Sequence, residues 1–493
     1  MLQLAMIRHE HTPQNSLYVG DRPEDEQATQ RAGVPFQYAW DWICATSKGD
    51  RPLAVLLLCE RIYDLDGTRN ACVKTVQFSA TIEATPQTAL IDESVSIRLL
   101  GFQPNQSVTL RATMPDDLGR VWSAYATFKP DDEGNVDLSS MPPDSGSYSG
   151  IDSMGLFWSM ILEDTAGALP MFIKTGVAPT TISLIAEVDG NTVATASLER
   201  LFVAADVSNT SVREEGLVGE LFAPPGDNLP AVLVVTGSEG GFGWAGTVAP
   251  LLASHGYAAL ALAYFDYQGM EGLPTSLMEI PLEYFERAIA WMGKQPQVNR
   301  DKLAVVGISK GGELALLLGS TFPEIKSVVA YVPSGVVWQS FTIGASDAPR
   351  SSWTYQGKSM SFVPFPKGTS FTMDYKTQPR QIREAALENQ AAVVAAMIPV
   401  EKINGSVMLI SGTADFIWPS DALCKMVVNR LMEHQHPYCV KHLCYQDVGH
   451  GFGVPYLPTT PIGGGNPQKN AIAVVEAWSE MLDFLAEQIA NPS

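Results

Sequence analysis

The chain has 493 residues, more than one hydrophobic core usually organises, so two or more domains are expected. With 46% apolar and 17% charged residues it can build packed cores, which excludes a disordered chain and a small disulfide-stapled scaffold. The balance of 32 Lys and Arg against 53 Asp and Glu gives a formal net charge of -21, which repels polyphosphate backbones and argues against nucleic acid as the main partner.

Residues 1–78 alternate short apolar runs with charged turns. In NSLYVGDRPEDEQATQRAGVPFQYAWDWI, the strand-like Leu17 to Val19 ends at Gly20 and Asp21, Asp25 follows, and a helix-like stretch ends at Gly33. This piece resembles the last motif of haloacid-dehalogenase-type phosphatases, where two acids after a strand hold magnesium. Asp64-Leu65-Asp66-Gly67-Thr68 resembles the nucleophile motif of the same superfamily, but it follows the magnesium motif instead of preceding it. A segment this short cannot build the usual phosphatase sheet. Residues 1–78 therefore read as a leader with an inactive haloacid-dehalogenase-like fragment.

From 79 to 205 short strands alternate with turn signals: Val95 to Leu99, Ser107 to Ala112, Trp122 to Phe128, Ile182 to Val188 and Ala194 to Phe202. Repeated short strands without helical periods predict an all-β sandwich. From 206 to 493 the period changes. Apolar runs at Ala231 to Val235, Ala258 to Ala263, Leu303 to Val306, Ser327 to Val332 and Val407 to Ile410 alternate with helical stretches such as Leu282 to Lys294 and Ala471 to Ile489. That alternation predicts an α/β domain, a mostly parallel sheet with helices on both faces. Between about 336 and 395 it fails, and Trp338, Phe341, Trp353, Tyr355, Phe362, Phe365 and Phe371 lie scattered among Pro, Gly and Ser. Such an insertion either caps an apolar pocket or forms a small core of its own.

The strongest chemical signal is Gly307-Ile308-Ser309-Lys310-Gly311-Gly312, directly after a strand and directly before a helix. This is the pattern of a nucleophile elbow, in which a serine on a strained turn needs neighbours without side chains so that the helix packs close. A serine hydroxyl is a weak nucleophile until a base takes its proton, so an acid and a histidine are expected downstream. Asp415 lies just past the strand Val407 to Ile410, and His450 lies in DVGHGFG past the strand-like His442 to Gln446. Asp447 is the rival acid, three residues before the histidine.

The backbone N–H of Lys310 would face a developing oxyanion. A second donor is expected from Thr236-Gly237-Ser238-Glu239-Gly240-Gly241-Phe242-Gly243, with Glu239 or Gly240 the candidates. The same loop could cradle phosphate, but it lacks the lysine and Ser/Thr of a P-loop. His434 and His436 in MEHQHPY could suggest a metal pair, yet no third ligand cluster accompanies them, and a solvated helix end is the plainer reading. His9, His11, His255 and His442 read as surface or packing residues. The six cysteines, at 44, 59, 72, 424, 439 and 444, show no CxxC pairs and suit reduced thiols in a cytoplasmic setting. The first residues carry no signal-peptide pattern, and no apolar run is long enough to span a bilayer.

Residues 79 to 490 resemble the acyl-CoA thioesterase and bile acid-CoA:amino acid N-acyltransferase family. The resemblance rests on ALIDESVSIRLLGFQPNQSVTLRA, DDLGRVWSAYATFKPDDEGNVDL and SGSYSGIDSMGLFWSM in the first half, and on GISKGGELALLLGS, IPVEKINGSVMLISGTADFIWPS and YQDVGHGFGVPYLPTTP in the second. It implies a β-sandwich joined to an α/β-hydrolase domain that acts on acyl-CoA through a covalent acyl-enzyme, with catalytic positions at Ser309, Asp415 and His450 and no metal or redox cofactor. Members that conjugate bile acids to amino acids carry cysteine as nucleophile, so Ser309 points to hydrolysis. Where relatives continue past the histidine with a proline-rich and often tryptophan-bearing stretch, this chain has Pro461-Ile462-Gly463-Gly464-Gly465-Asn466-Pro467, so the resemblance does not fix the acyl pocket's rim or its chain-length preference. The alternatives are a carboxylester or dienelactone-type hydrolase with the same triad, an acyl-CoA:amino acid N-acyltransferase, and a binding protein with a dead hydrolase domain.

Overall fold

The computed structural model describes residues 80–163, 170–340, 349–369, 379–460 and 462–490, together with the short strands Tyr18–Gly20, Phe36–Tyr38, Leu57–Cys59 and Lys74–Val76. The first two of these strands pair in parallel and the last two antiparallel. Asp21, Asp25, Asp64, Asp66, Phe341, Phe371 and Pro461 lie outside the described residues. Two compact units divide the chain. One is Met1–Thr81 with Leu99–Gln106 and Pro130–Asn135; the other is Ile82–Arg98, Ser107–Lys129 and Val136–Ser493.

In the second unit, β1 (Val108–Pro115), β2 (Val121–Phe128), β3 (Thr180–Val188) and β4 (Asn191–Leu201) pair antiparallel in the order β2-β1-β3-β4. Their side chains follow the two-residue period of a pleated strand. Val108, Leu110, Ala112 and Met114 on β1 and Trp122, Ala124, Ala126 and Phe128 on β2 are buried, while Thr109, Arg111 and Tyr125 between them are not. One dry face and one wet face are what a sandwich layer requires.

The larger sheet comprises β5 (Ser208–Val212), β6 (Val218–Ala223), β7 (Leu229–Val235), β8 (Ala258–Ala263), β9 (Val298–Ile308), β10 (Ile325–Tyr331), β11 (Ser406–Gly412) and β12 (Val440–Tyr445). Its spatial order is β5-β6-β8-β7-β9-β10-β11-β12. From β8 to β12 every neighbour is parallel, and β5 and β6 close one edge antiparallel. The expected parallel strands are present. The outermost strand, β5, carries no strand signal in the sequence, because Ser208–Val212 reads SNTSV, too polar to mark one.

Helices cover both faces, and the strands' alternation sorts them. Leu233, Leu260, Val305, Val328 and Leu409 pack with α2 (Leu282–Met292), α3 (Lys310–Thr321) and α5 (Ser420–Glu433). Val232, Val234, Val306, Val329 and Ile410 pack on the other side with α1 (Ala245–Ser254) and α6 (Pro467–Leu485). Strands buried on both sides read as unbroken apolar runs, which is why they were legible. The insertion supplies α4 (Pro379–Leu387) together with Val336, Trp338, Val363 and Val393, which form a small core with Trp418 of the Asp415 loop. Its described aromatic residues Trp338 and Phe365 serve that core, while Trp353 is buried in the main one.

Asp92, almost fully buried, ties the chain before β1 to the helices of the large sheet. Its Oδ2 accepts from His255 Nε2 at 2.6 Å and from Trp478 Nε1 at 3.0 Å. Of the two readings for His255, surface or packing, the structure shows packing. The Asp92 hydrogen bond raises the pKa of His255 against the opposing effect of burial. The contribution of a histidine whose pKa rises on folding is complete below its ordinary value of about 6.5 and is lost as pH climbs through the raised value. Asp92→Asn is therefore expected to lower the Tm by a few degrees at about pH 6 and by much less at about pH 9. An equal loss at both would assign the contact's worth to Trp478 alone.

Candidate active site

β9 ends at Ile308, α3 begins at Lys310, and Ser309 between them sits at φ 57°, ψ -120°. For a residue with a Cβ this is strained backbone, the kind that persists where the surroundings over-determine it. Ser309 N–H donates to Tyr331 O at 2.8 Å, and Glu313 N–H reaches back to Ser309 O at 3.0 Å. The small residues around the serine have a steric cause: a Cβ on Gly311 would strike the Thr236 carbonyl at the end of β7. The helix can meet the sheet this closely only without one.

The structure brings three of the expected residues together. Ser309 Oγ lies 2.8 Å from His450 Nε2, and His450 Nδ1 lies 2.8 Å from Asp415 Oδ2. The Asp415 carboxylate only accepts, so Nδ1–H donates to it and Nε2 is left to accept the serine proton. Asp415 is 1% exposed. Its other oxygen accepts from the N–H groups of Ile417 at 2.9 Å and Trp418 at 3.2 Å, which fixes the carboxylate's rotation. The rival Asp447 takes another partner: its exposed carboxylate accepts from Lys469 Nζ at 2.7 Å and Gln446 Nε2 at 2.9 Å, and these bonds hold its pKa below the usual carboxylate range.

The stretch Gly463–Gly465, expected at the acyl rim, clips the acid and histidine loops to each other. His450 N–H donates to Gly463 O at 2.9 Å, while Asp415 and Val448 form bridges with Gly464 and Gly465. Gly463 has φ +101°, and a Cβ there would lie 2.8 Å from His450 Cβ. A side chain at this position would push the imidazole.

Sequence reasoning missed the supports behind the acid. On α4, Arg380 Nη1 donates to the Asp415 carbonyl at 3.0 Å, and Arg383 Nη1 donates to the Ile417 carbonyl at 2.9 Å. Arg383 lies over the Trp418 ring, 5.5 Å from its centroid, and burial pushes its pKa down to about 10 against the pull of Asp415 and Glu313. Trp418 in turn meets the His450 ring edge-on at 5.6 Å and stacks on Trp338 at 6.5 Å. The signal available was the Arg-x-x-Arg spacing in PRQIREAAL, which puts both guanidinium groups on one side of a helix.

Lys310 opens α3, with its amide in the first turn, where helix N–H groups have no intrahelical acceptor. Its side chain turns inward to Glu313 Oε1 at 2.6 Å. Burial pushes the Lys310 pKa down and that of Glu313 up, with their mutual attraction opposing both shifts. In the loop after β7, a Cβ on Gly237 would come within 3.2 Å of Ser309 Cβ, so this backbone passes directly beside the serine. The Glu239 carboxylate folds back to accept from Thr236 Oγ1 and from Trp244 N–H. Gly240 packs against Phe265. His434 caps the end of α5, and His436 Nε2 donates to Gly405 O at 3.0 Å. Among the described residues no group of three or more His, Cys, Asp or Glu is placed to hold a metal ion.

A buried acid, an oriented imidazole and a strained serine in hydrogen-bonded series can perform acyl transfer. A family model described as "BAAT / Acyl-CoA thioester hydrolase C terminal" matches residues 280–491, and "Acyl-CoA thioester hydrolase/BAAT N-terminal region" matches residues 92–214. The chain is 31% identical to mouse (Mus musculus) acyl-coenzyme A thioesterase 6 over 424 residues, 81% of this chain and 94% of that protein. It is 30% identical to mouse acyl-coenzyme A thioesterase 2, mitochondrial, over 442 residues, 84% of this chain and 91% of that protein. Mouse peroxisomal succinyl-coenzyme A thioesterase is 28% identical over 421 residues, 81% of this chain and 94% of that protein.

Proposed function

The chain belongs to the acyl-CoA thioester hydrolase/BAAT family, and from that premise we propose that it is a serine hydrolase that cleaves acyl-CoA thioesters to free acid and coenzyme A. The observation that carries the mechanism is the series Ser309 Oγ, His450 Nε2, His450 Nδ1, Asp415 Oδ2, each link 2.8 Å. In this reading His450 takes the Ser309 proton as the oxygen attacks the thioester carbonyl. Asp415 holds the imidazole and stabilises its cationic form. In this reading the tetrahedral oxyanion is received by the Lys310 amide and by an amide of Glu239 or Gly240. His450 then protonates the departing thiolate, and it next activates a water that releases the acid from Ser309. No step requires a metal or redox cofactor.

Hydrolysis in preference to transfer follows from the nucleophile. An acyl-serine is an oxygen ester, less open to amines than the thioester a cysteine would form. Ser309→Cys is accordingly expected to raise the ratio of aminolysis to hydrolysis with glycine or taurine as acceptor. An unchanged ratio would place the choice of acceptor elsewhere in the site. The proposal as a whole is tested by treating the protein with acyl-CoA, trapping at acid pH and sequencing the modified peptide by mass spectrometry. Acyl groups on Ser309 are expected; acyl groups on another residue alone would contradict the mechanism.

A cytoplasmic location belongs to the same reading, supported by Cys439 and Cys444, which are exposed and unpaired and suit a reducing compartment. Among the described residues no helix is long and apolar enough to cross a membrane. Fractionation of cells expressing the tagged protein decides between cytoplasm and the organelles that appear in the names of its relatives.

A further inference from the structure

Helix α3 has two charged residues, both in its first turn and both buried: Lys310 is 5% exposed and Glu313 0%. Lys310 Nζ donates to Glu313 Oε1 at 2.6 Å and lies over the Trp353 ring, 5.3 Å from its centroid. The same Glu313 oxygen accepts from Trp353 Nε1 at 2.8 Å and from Trp338 N–H at 3.4 Å. Its second oxygen is buried with no hydrogen-bond partner. Removing two charges from water is costly, and well-packed apolar residues of similar volume usually stabilise a fold as well or better. A buried ion pair is therefore weak evidence for added stability. Its position is informative: Lys310 directly follows Ser309, and Trp338 and Trp353 come from the insertion.

We propose that Glu313 is a positioning residue that gathers Lys310, Trp338 and Trp353 on one carboxylate and so sets the first turn of α3 where the Lys310 amide meets the oxyanion. This rests on the assignment of Ser309 as nucleophile. The Lys310 side chain and its amide share one Cα, so anchoring the ammonium limits how the amide can turn. An oxyanion donor must sit within about 2.7–3.1 Å of the charge it stabilises, and a misplacement of about 1 Å can cost on the order of 10²-fold in rate. The carboxylate also makes the insertion's placement a condition for that geometry.

The test compares Glu313→Gln and the double variant Lys310→Met/Glu313→Leu with the parent protein. Four quantities are read: kcat, KM, the rate at which a fluorophosphonate labels Ser309, and Tm. The label's phosphoryl oxygen uses the same oxyanion site but needs no acyl-CoA. The double variant should hold or raise the Tm while kcat and the labelling rate fall together by about 10²-fold, with KM within about threefold of the parent. A double variant with parental kcat and labelling rate shows that the pair only packs, and overturns the proposal. If that variant fails to fold, Glu313→Gln decides, since its amide still accepts from both tryptophans. A fall in kcat and labelling at unchanged KM and Tm supports the proposal, and parental kcat overturns it. A parent protein that takes no label at Ser309 overturns the nucleophile assignment and this proposal with it, whereas a labelled parent and fully active variants overturn this proposal alone.

Discussion

Replacing Ser309 or His450 by alanine is expected to lower kcat on acyl-CoA by about 10⁴- to 10⁶-fold, with the double variant little worse than either single one. The reason is the serial geometry. With both links at 2.8 Å, losing the imidazole leaves the Ser309 hydroxyl without a base, and losing the hydroxyl leaves the imidazole nothing to activate but water. Neither loss should perturb the fold much. Ser309→Ala removes one oxygen from a position already held by its backbone bond to Tyr331 O, so a protein with parental Tm and almost no turnover is the expected result. Near-normal turnover in Ser309→Ala would remove the mechanism.

The second large effect concerns the acid. Asp415→Asn is expected to lower kcat by about 10⁴-fold, because an amide in place of the carboxylate can donate to His450 Nδ1 and so favour the tautomer whose Nε2 carries the proton. An imidazole in that state cannot accept from Ser309. Loss of the charge also removes the stabilisation of the imidazolium that forms on attack. Asp447→Asn is the control: its carboxylate pairs with Lys469 at the surface and makes no contact with His450, so its turnover should stay near the parental value. Comparison of kcat for the two variants at equal Tm checks this. A larger loss in Asp447→Asn would reassign the acid.

How far these features could be read from the chain follows from their range. The serine turn is a local device: a strand, a strained residue and a close helix impose small residues within a few positions, so Gly307 to Gly312 carries its own signature. The parallel strands were legible for a similar reason, since burial on both faces leaves no room for polar residues in β7 or β8. The partnership of Asp415 and His450 was readable only through chain order and strand ends. Its decisive contacts join residues 141 and 35 positions apart.

Arg380 and Arg383 were not legible as supports. Their meaning depends on α4 folding back onto the carbonyls of the acid loop, which no local pattern encodes. Gly463 to Gly465 stood out as a departure in the sequence, but its work in clipping two loops is visible only in space. Lys310 and Glu313 were the missed opportunity, since two charges in KGGELALLLGS, an otherwise apolar helix, already called for a partner in the core.

Coenzyme A is the leaving group in the proposed reaction, and fold and triad do not settle that by themselves. The most direct test is kcat/KM for the purified protein on an acyl-CoA and on a simple ester carrying the same acyl group, repeated for short, medium, long and branched chains. For at least one chain class, kcat/KM on the thioester should exceed that on the matched ester by about 10²-fold or more, because binding of the coenzyme A portion contributes to transition-state stabilisation. Equal or greater values on the simple esters throughout the series would contradict the account.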